Sequence, residues 1–459
     1  MLCVQLVLRK QVYWLIHSIG LPDGLEQLTK DLWALRLQKV QSRVAYESET
    51  EAPASQVFSS QSESGATSAS RSTRRSRRKG KERLQEGSPS LLETLAVCYV
   101  ALLLLHIPVT VHDIHKWTNG GQLIYYRAAR DIPLGMRERL PPRYQAQLEP
   151  QDLLRPCAIH RAAFELLMTF NTEFGMSPPR LNTPLVLYRW MRELMLPVEI
   201  YAASFRLAAL LNVSFEFVFW TNAGRSSISR YPEARLMALV VTSAKLLFPF
   251  DNLERFAQSE TDLTATRIDW TEWARQQRGM QKKSAPNGPA LAFDKAFDFN
   301  ENDCHTSSEN QLDAYLDWYE DNIATEEIRE RGKAAKDADF RRALFATFTT
   351  QRVTPRNPTV QNGVEQQASL DERLRQVHQK LQPGQIYTSA TSYEEDPHPF
   401  GSSYRRFRKA SELFGVAKSF YERAADLAGL SLAELVKVVF LTEREMEKLE
   451  QRIRKDQMK

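Results

Sequence analysis

Along most of the chain apolar residues recur at helical spacing, and in two segments the apolar character extends to nearly every side. The first is residues 95–105, inside SLLETLAVCYVALLLLHIPVTVHDIHKW. Ser90 predicts its start: its hydroxyl caps the first free N–H groups, and Glu93, three residues on, reaches back to complete a capping box. Pro108 ends it, because proline brings no N–H and disfavours helix at Ile107. A second start signal, Thr110 with Asp113, opens a short helix that stops at Asn119, Gly120 and Gly121. The other all-round apolar segment is 233–247, EARLMALVVTSAKLL. A helix apolar on all faces needs other helices around it, so each segment predicts the centre of a bundle.

Amphipathic helices flank both centres. Leu8, Val12, Leu15 and Ile19 form one apolar stripe, ended by Gly20 and Pro22, and Leu25, Leu28, Leu32 and Leu35 form the next. Residues 158–174 carry Ile159, Phe164, Leu167 and Phe170 on one face. Thr183 then caps a helix with Pro184 at its first position, the favoured site for proline. Residues 198–211 align Tyr201, Phe205, Ala208 and Leu211. A helix over 404–428 is stopped by Gly429, a capping box at Ser431 and Glu434 starts another, and Thr442 with Glu445 marks a further start. Beyond a brief run at 215–220 no strand pattern appears, and no short repeat marks a solenoid. The prediction is an all-α protein with two groups of about five helices meeting near Pro197. The first domain spans 1–196 and the second 198–459, the latter ending in the C-terminal helices.

Each domain carries an insert. Residues 47–88 are Ser, Glu, Ala and Arg with almost no large apolar side chain, too little burial to offset ordering entropy, which predicts disorder. Residues about 280–400 are poor in core positions, with short helices expected at 310–322 and 337–347. The 61 basic and 56 acidic residues leave a net charge of +5, too small by itself to define a partner. Four cysteines, Cys3, Cys98, Cys157 and Cys304, lie far apart with no CxxC pair, which excludes a zinc ribbon or disulfide framework and fits a reducing compartment. The apolar run at 95–111 is shorter than a membrane span and is broken by His106 and Pro108. Arg9 and Lys10 sit inside the first apolar stretch, which excludes a signal peptide. A chain that opens inside an amphipathic helix, with no N-cap ahead of it, suggests a missing upstream segment.

Enzyme motifs are lacking: no GxxxxGK[ST] loop, GxGxxG turn, HExxH helix or GxSxG elbow occurs. His112 and His115, at i and i+3, lack a third ligand and read as packing or capping residues rather than a metal pair. His160 on an apolar helix reads as a buried, hydrogen-bonded side chain. Trp33, Trp117, Trp190 and Trp270 stand among aliphatics and read as core or interface residues rather than base-stacking platforms.

Tandem five-helix domains suggest paired cyclin folds, and particular segments carry a closer resemblance. LVLRKQVYWLIHSIGLPDGLEQLTKDLWALRL, the stretch from LLETLAVCYVALLLL to DIPLGMRERLPP, YPEARLMALVVTSAKLLFPFDN, LDAYLDWYEDN and FYERAADLAGLSLAELVKVVFLTERE occur in order over about two-thirds of the chain. They resemble the TFIIB-like subunit of the RNA polymerase I core factor, the Rrn-seven type of fungi related to the TAF-one-B subunit of animals. The resemblance implies tandem cyclin-like (TFIIB-like) folds and a non-enzymatic nuclear, nucleolar factor. Its implied partners are the ribosomal DNA promoter, RNA polymerase I, other core-factor subunits and TATA-binding protein, with no membrane and no small-molecule substrate. The family also carries zinc in an N-terminal ribbon. The ribbon's cysteine pairs are absent here, so no cofactor is expected in this chain, and either a segment lies upstream or this member does without the ribbon.

Two basic clusters are the candidate contacts. Arg71, Arg74, Arg75, Arg77, Arg78, Lys79, Lys81 and Arg83 form a run suited to nuclear import or to DNA backbone, or simply a solvated loop. Arg405, Arg406, Arg408 and Lys409 lie at the expected helix start after Tyr404, suited to backbone phosphates or to an ordinary surface face. The competing functional reading is a cyclin-like regulatory or scaffold subunit that binds a protein such as a kinase and never touches DNA.

Overall fold

The computed structural model describes residues 1–50, 89–150, 152–219, 227–250, 266–284, 296, 299, 309–322, 361–383 and 404–457. The chain forms two compact units, Met1–Asn182 with Glu216–Asn222, and Thr183–Phe215 with Ala223–Lys459.

Among the described residues, five longer helices build the first unit, α1 (Leu2–His17), α2 (Gly24–Thr50), α3 (Leu91–Leu104), α4 (Val111–Asn119) and α5 (Pro156–Phe174), with short helical turns at Leu134–Arg137 and Pro142–Gln147 between the last two. Helix α3 is the centre, packed by the other four. Its residues from Leu95 to Leu102 are fully buried, as the unbroken apolar pattern requires. The hydroxyl of Ser90 accepts from the Glu93 N–H at 3.2 Å. The Glu93 carboxylate turns instead to Arg36 on α2, with Nε at 2.8 Å and Nη2 at 3.2 Å, so the expected capping residue ties two helices together. Thr110 and Asp113 do form a reciprocal capping box at the start of α4. Gly175, at φ 65°, closes α5, with its N–H on Asn171 O and the Met176 N–H on Phe170 O. In α1 the apolar stripe includes Leu8, Val12 and Leu15, but the helix ends at His17 and leaves Ile19 exposed.

The second unit is organised around α8 (Pro232–Leu247), with α6 (Thr183–Glu193) and α7 (Glu199–Leu210) before it. After it come α9 (Trp270–Ser284), α10 (Glu309–Asn322), α11 (Gln361–Gln379), α12 (Gly415–Leu427) and α13 (Leu432–Gln457). Helices α7, α12 and α13 pack on α8, which is buried at almost every position from Pro232 to Lys245. A two-stranded antiparallel ribbon pairs β1 (Thr266–Arg267) with β2 (Gln382–Pro383). Helix α6, placed ahead of the Pro197 boundary by the sequence pattern, packs with this unit.

Two expected helix starts are corrected. The chain at 404–409 is not helical; a 3-10 turn follows at Ala410–Glu412, and α12 begins only at Gly415. Thr442 starts no new helix, because its hydroxyl donates to Val438 O within the uninterrupted α13. The described part of the run, 215–219, contributes an isolated bridge between Arg180 and Glu216 rather than a strand. The expected helix at 337–347 and most of both inserts lie outside the described residues.

Candidate nucleic-acid interface and its buried anchor

Helix α8 carries one cation deep in its apolar length, Lys245, only 4% exposed. An unpaired ammonium there would be strongly destabilising. Its Nζ donates to Glu443 Oε1 on α13, a side chain with no exposure. The Tyr404 hydroxyl donates to the same oxygen at 2.6 Å. Lys245 Nζ also sits 4.4 Å from the ring centroid of Tyr404 and 4.9 Å from that of Phe407, so two aromatic faces stabilise the charge. Phe407 in turn meets Tyr421 of α12 edge-on at 6.0 Å. Burial pushes the Lys245 ammonium down from its ordinary pKa, and the Glu443 charge opposes that. Burial pushes the phenols of Tyr404 and Tyr421 up, with Glu443 adding to both, so they stay protonated across neutral pH.

This anchor determines how the 404–409 loop presents itself. Tyr404 and Phe407 turn inward to Lys245, while Arg405, Arg406, Arg408 and Lys409 are exposed. The helix expected over 404–428 fails here because the Arg408 N–H, which a helix would direct to the Tyr404 carbonyl, donates instead to Glu412 Oε2 at 2.8 Å, and Lys409 is extended at φ −130° and ψ 151°. The four cations are not equivalent. Arg406 is paired with Glu447 of α13, and Arg408 lies over the Phe440 ring at 5.6 Å. Among the described residues, the side chains of Arg405 and Lys409 make no ion pair or hydrogen bond, and these two cations are open to a ligand. The run from Arg71 to Arg83 lies outside the described residues.

The remaining candidates take structural places. His115 Nε2 lies 2.8 Å from Leu154 O and 2.9 Å from Asn119 Nδ2, and His160 is fully buried. Among the described residues no group of three or more His, Cys, Asp or Glu is placed to hold a metal ion. Cys3 and Cys98 are buried free thiols, and burial pushes the Cys98 thiol up to about 12; these residues do not fit the zinc of a ribbon. Trp33 and Trp190 are buried. Trp270 meets Phe250 at a tilt and Trp273 and Phe420 edge-on, its Nε1 donating to Pro249 O, which occupies it as a packing residue. Among the described residues no helix is long and apolar enough to cross a membrane.

Sequence reasoning missed Lys245 and Glu443. A single lysine in an otherwise apolar central helix was the available signal, since it demands a buried carboxylate; which carboxylate depends on the tertiary packing.

Two helical units, each wrapped around a buried central helix, define a tandem cyclin-fold protein. Residues 4–134 match the model of the Rrn7/TAF1B N-terminal cyclin domain, and residues 153–323 match that of the Rrn7/TAF1B C-terminal cyclin domain. The chain belongs to the Rrn7/TAF1B family. Helix α5 falls inside the C-terminal match but packs on α3 of the first unit, and Ile159, Ala163, Leu167 and Phe170 are among its buried residues. The RNA polymerase I-specific transcription initiation factor rrn7 of Schizosaccharomyces pombe is 26% identical over 344 residues, 70% of this chain. The match spans 62% of that relative's length. The crystal structure of the S. cerevisiae core factor aligns with a TM-score of 0.49 at 12% identity, over 99% of this chain and 96% of that one.

Proposed function

We propose that this chain is a non-enzymatic RNA polymerase I initiation factor, the TFIIB-like subunit of a core factor that binds the ribosomal DNA promoter and helps to recruit the polymerase. The observation that carries the reading is the pair of Rrn7/TAF1B cyclin matches, in order along the chain. The fission-yeast relative, an RNA polymerase I-specific transcription initiation factor, supports it. The exposed, anchored cations at Arg405 and Lys409 supply a chemistry suited to phosphates. Arg71, Arg74, Arg75, Arg77, Arg78, Lys79 and Lys81 serve nuclear import or the DNA backbone. The expected partners are the other core-factor subunits, RNA polymerase I and TATA-binding protein, and the expected location is the nucleus and nucleolus. No cofactor is required of this chain.

The test is affinity purification of the tagged full chain from its own cells together with chromatin immunoprecipitation. Co-purification of core-factor subunits with enrichment at the ribosomal DNA promoter is the expected result. Stable capture of a kinase with no promoter enrichment would replace this reading with a cyclin-like scaffold.

A further inference from the structure

In the second unit α9 and Lys380, just after α11, frame a groove of about 700 Å³ lined by Thr271, Glu272, Arg275, Arg278, Gly279 and Lys380, none of them from the 404–409 loop. Its floor is one carboxylate. The Glu272 side chain is 6% exposed and accepts from Arg275 Nη2 at 2.6 Å, Lys380 Nζ at 2.8 Å and Gln276 Nε2 at 2.8 Å. These partners, Arg275 first, hold its pKa at about 2, so it is ionised at any physiological pH. Glu272 therefore fixes two long cationic side chains by their inner faces while Arg275 remains 68% and Lys380 52% exposed.

Two further guanidiniums complete the rim. Arg278 is exposed, its Nε directed to Ala274 O at 3.3 Å. Arg373 of α11 donates from Nη1 to Gln276 O at 2.9 Å. It reaches that carbonyl over Gly279, where a Cβ would fall 2.6 Å from Nη1, so the missing side chain opens the path. The other nearby carboxylate, Asp269, is occupied in capping α9, accepting from the backbone N–H groups of Thr271 and Glu272 and from the Thr271 hydroxyl. Among the described residues, Arg275, Arg278, Arg373 and Lys380 thus stand near Glu272 and Asp269, both of which are engaged inside the protein.

We propose that this groove is a second nucleic-acid backbone site, at which Arg275, Arg278 and Lys380 contact successive phosphates. The proposal rests on the reading of the chain as a promoter-binding factor and adds to it a place where the DNA is held. A lone carboxylate ligand would only duplicate Glu272. Among the described residues Arg275 and Lys380 share the single carboxylate of Glu272 and Arg278 has no carboxylate partner, so positive charge is in excess, and a phosphodiester chain supplies countercharge repeatedly. Arg275 and Arg278, at i and i+3, stand on one helix face roughly 5–6 Å apart at Cβ. Guanidiniums suit phosphate through paired N–H donors, and Glu272 already restricts the conformations of Arg275 and Lys380, reducing the entropy lost on binding.

The experiment is a salt titration of full-chain binding to a scrambled-sequence duplex, with poly-glutamate as a parallel probe. The variants are Arg278→Gln, Arg275→Gln/Arg278→Gln, and Arg405→Ala/Lys409→Ala. Arg278→Gln leaves every Glu272 contact intact and so preserves the fold. The slope of log affinity against log salt should flatten by about 0.9 in the single groove variant and by about twice that in the double, with poly-glutamate binding unchanged. Slopes equal to wild type in both groove variants would overturn the proposal. An equal loss on poly-glutamate would overturn it in favour of an acidic polypeptide. Failure of the wild-type chain to bind duplex even at low salt would overturn both this site and the promoter-binding reading. Duplex binding that responds only to the 405 and 409 changes would overturn the groove alone.

Discussion

The ammonium of Lys245 and the carboxylate of Glu443, 198 residues apart in sequence, form a buried ion pair between the central helix α8 and the C-terminal helix α13. Tyr404 bonds the same carboxylate oxygen, and with Phe407 it encloses the ammonium. One pair therefore performs two tasks. It joins the last helix to the middle of the second unit, and it fixes the direction in which the basic loop faces solvent.

Removing either partner of this pair should cost about 3–5 kcal/mol, because the other charge is left buried without compensation. Lys245→Met and Glu443→Leu separately should each lower the urea midpoint strongly. The double variant should recover most of the loss, since an apolar pair of similar volume is often neutral or stabilising. Tyr404→Phe removes one hydrogen bond to a carboxylate, worth about 1.5–3 kcal/mol. Additive single and double losses in the urea cycle would refute the coupling.

Charge at the two helix centres should be worse tolerated than anywhere on the surface. Ala101 and Val240 are fully buried, so Ala101→Asp and Val240→Asp should each destabilise by more than about 4 kcal/mol. Leu134, 63% exposed, provides the contrast: Leu134→Asp should stay within about 0.5 kcal/mol of wild type. Thermal unfolding followed by circular dichroism distinguishes the two classes.

These two centres were legible in the sequence because helix packing writes a local pattern: a run apolar on every face has few alternatives to the middle of a bundle. Caps at Ser90, Thr110 and Ser431 were legible for the same reason, being decided within four residues. Where a long-range partner intervened, the local signal misled. Glu93 left its capping role for Arg36, and the helix expected from Tyr404 gave way where the Arg408 N–H turned to the Glu412 side chain instead of the Tyr404 carbonyl. The Glu272 groove was invisible because Lys380 lies in a stretch whose composition reads as an insert. Sequence spacing carries no information on a contact across 108 residues.

Acid should act on the Glu272 cluster in a defined direction. Its folded pKa, about 2, lies below the ordinary carboxylate value, so the stability it contributes is complete above about pH 4.5 and is lost as pH falls toward about 2. Urea midpoints of wild type and Glu272→Gln should therefore differ most near neutrality, and the gap should close on acidification. A gap that stays constant down to about pH 3 would show that the cluster contributes through shape and not through charge.

The arginine run should direct nuclear accumulation. Clustered Arg and Lys attract acidic receptor surfaces through charge alone. Replacing Arg74, Arg75, Arg77 and Arg78 by Ala in a fluorescent fusion should shift the protein toward the cytoplasm. Unchanged nuclear signal would reassign the run to DNA contact or to a solvated segment.

The basic loop makes the sharpest distinction, because its four cations differ in their existing partners. Arg406 is already paired with Glu447 and Arg408 is spread on Phe440, whereas Arg405 and Lys409 are open. A cation that must leave a carboxylate to meet a phosphate gains less than one that leaves only water. Arg405→Ala and Lys409→Ala should each flatten the salt slope of duplex binding by about 0.9, and Arg406→Ala by clearly less. Glu447→Ala releases Arg406 and should steepen the slope, a gain that a purely structural loop would not produce. Any preference for promoter over scrambled duplex should remain through all four variants, because phosphate contacts position the DNA without reading bases. Loss of that preference in Arg405→Ala would instead put a base edge within reach of this side chain and make it a reader of sequence.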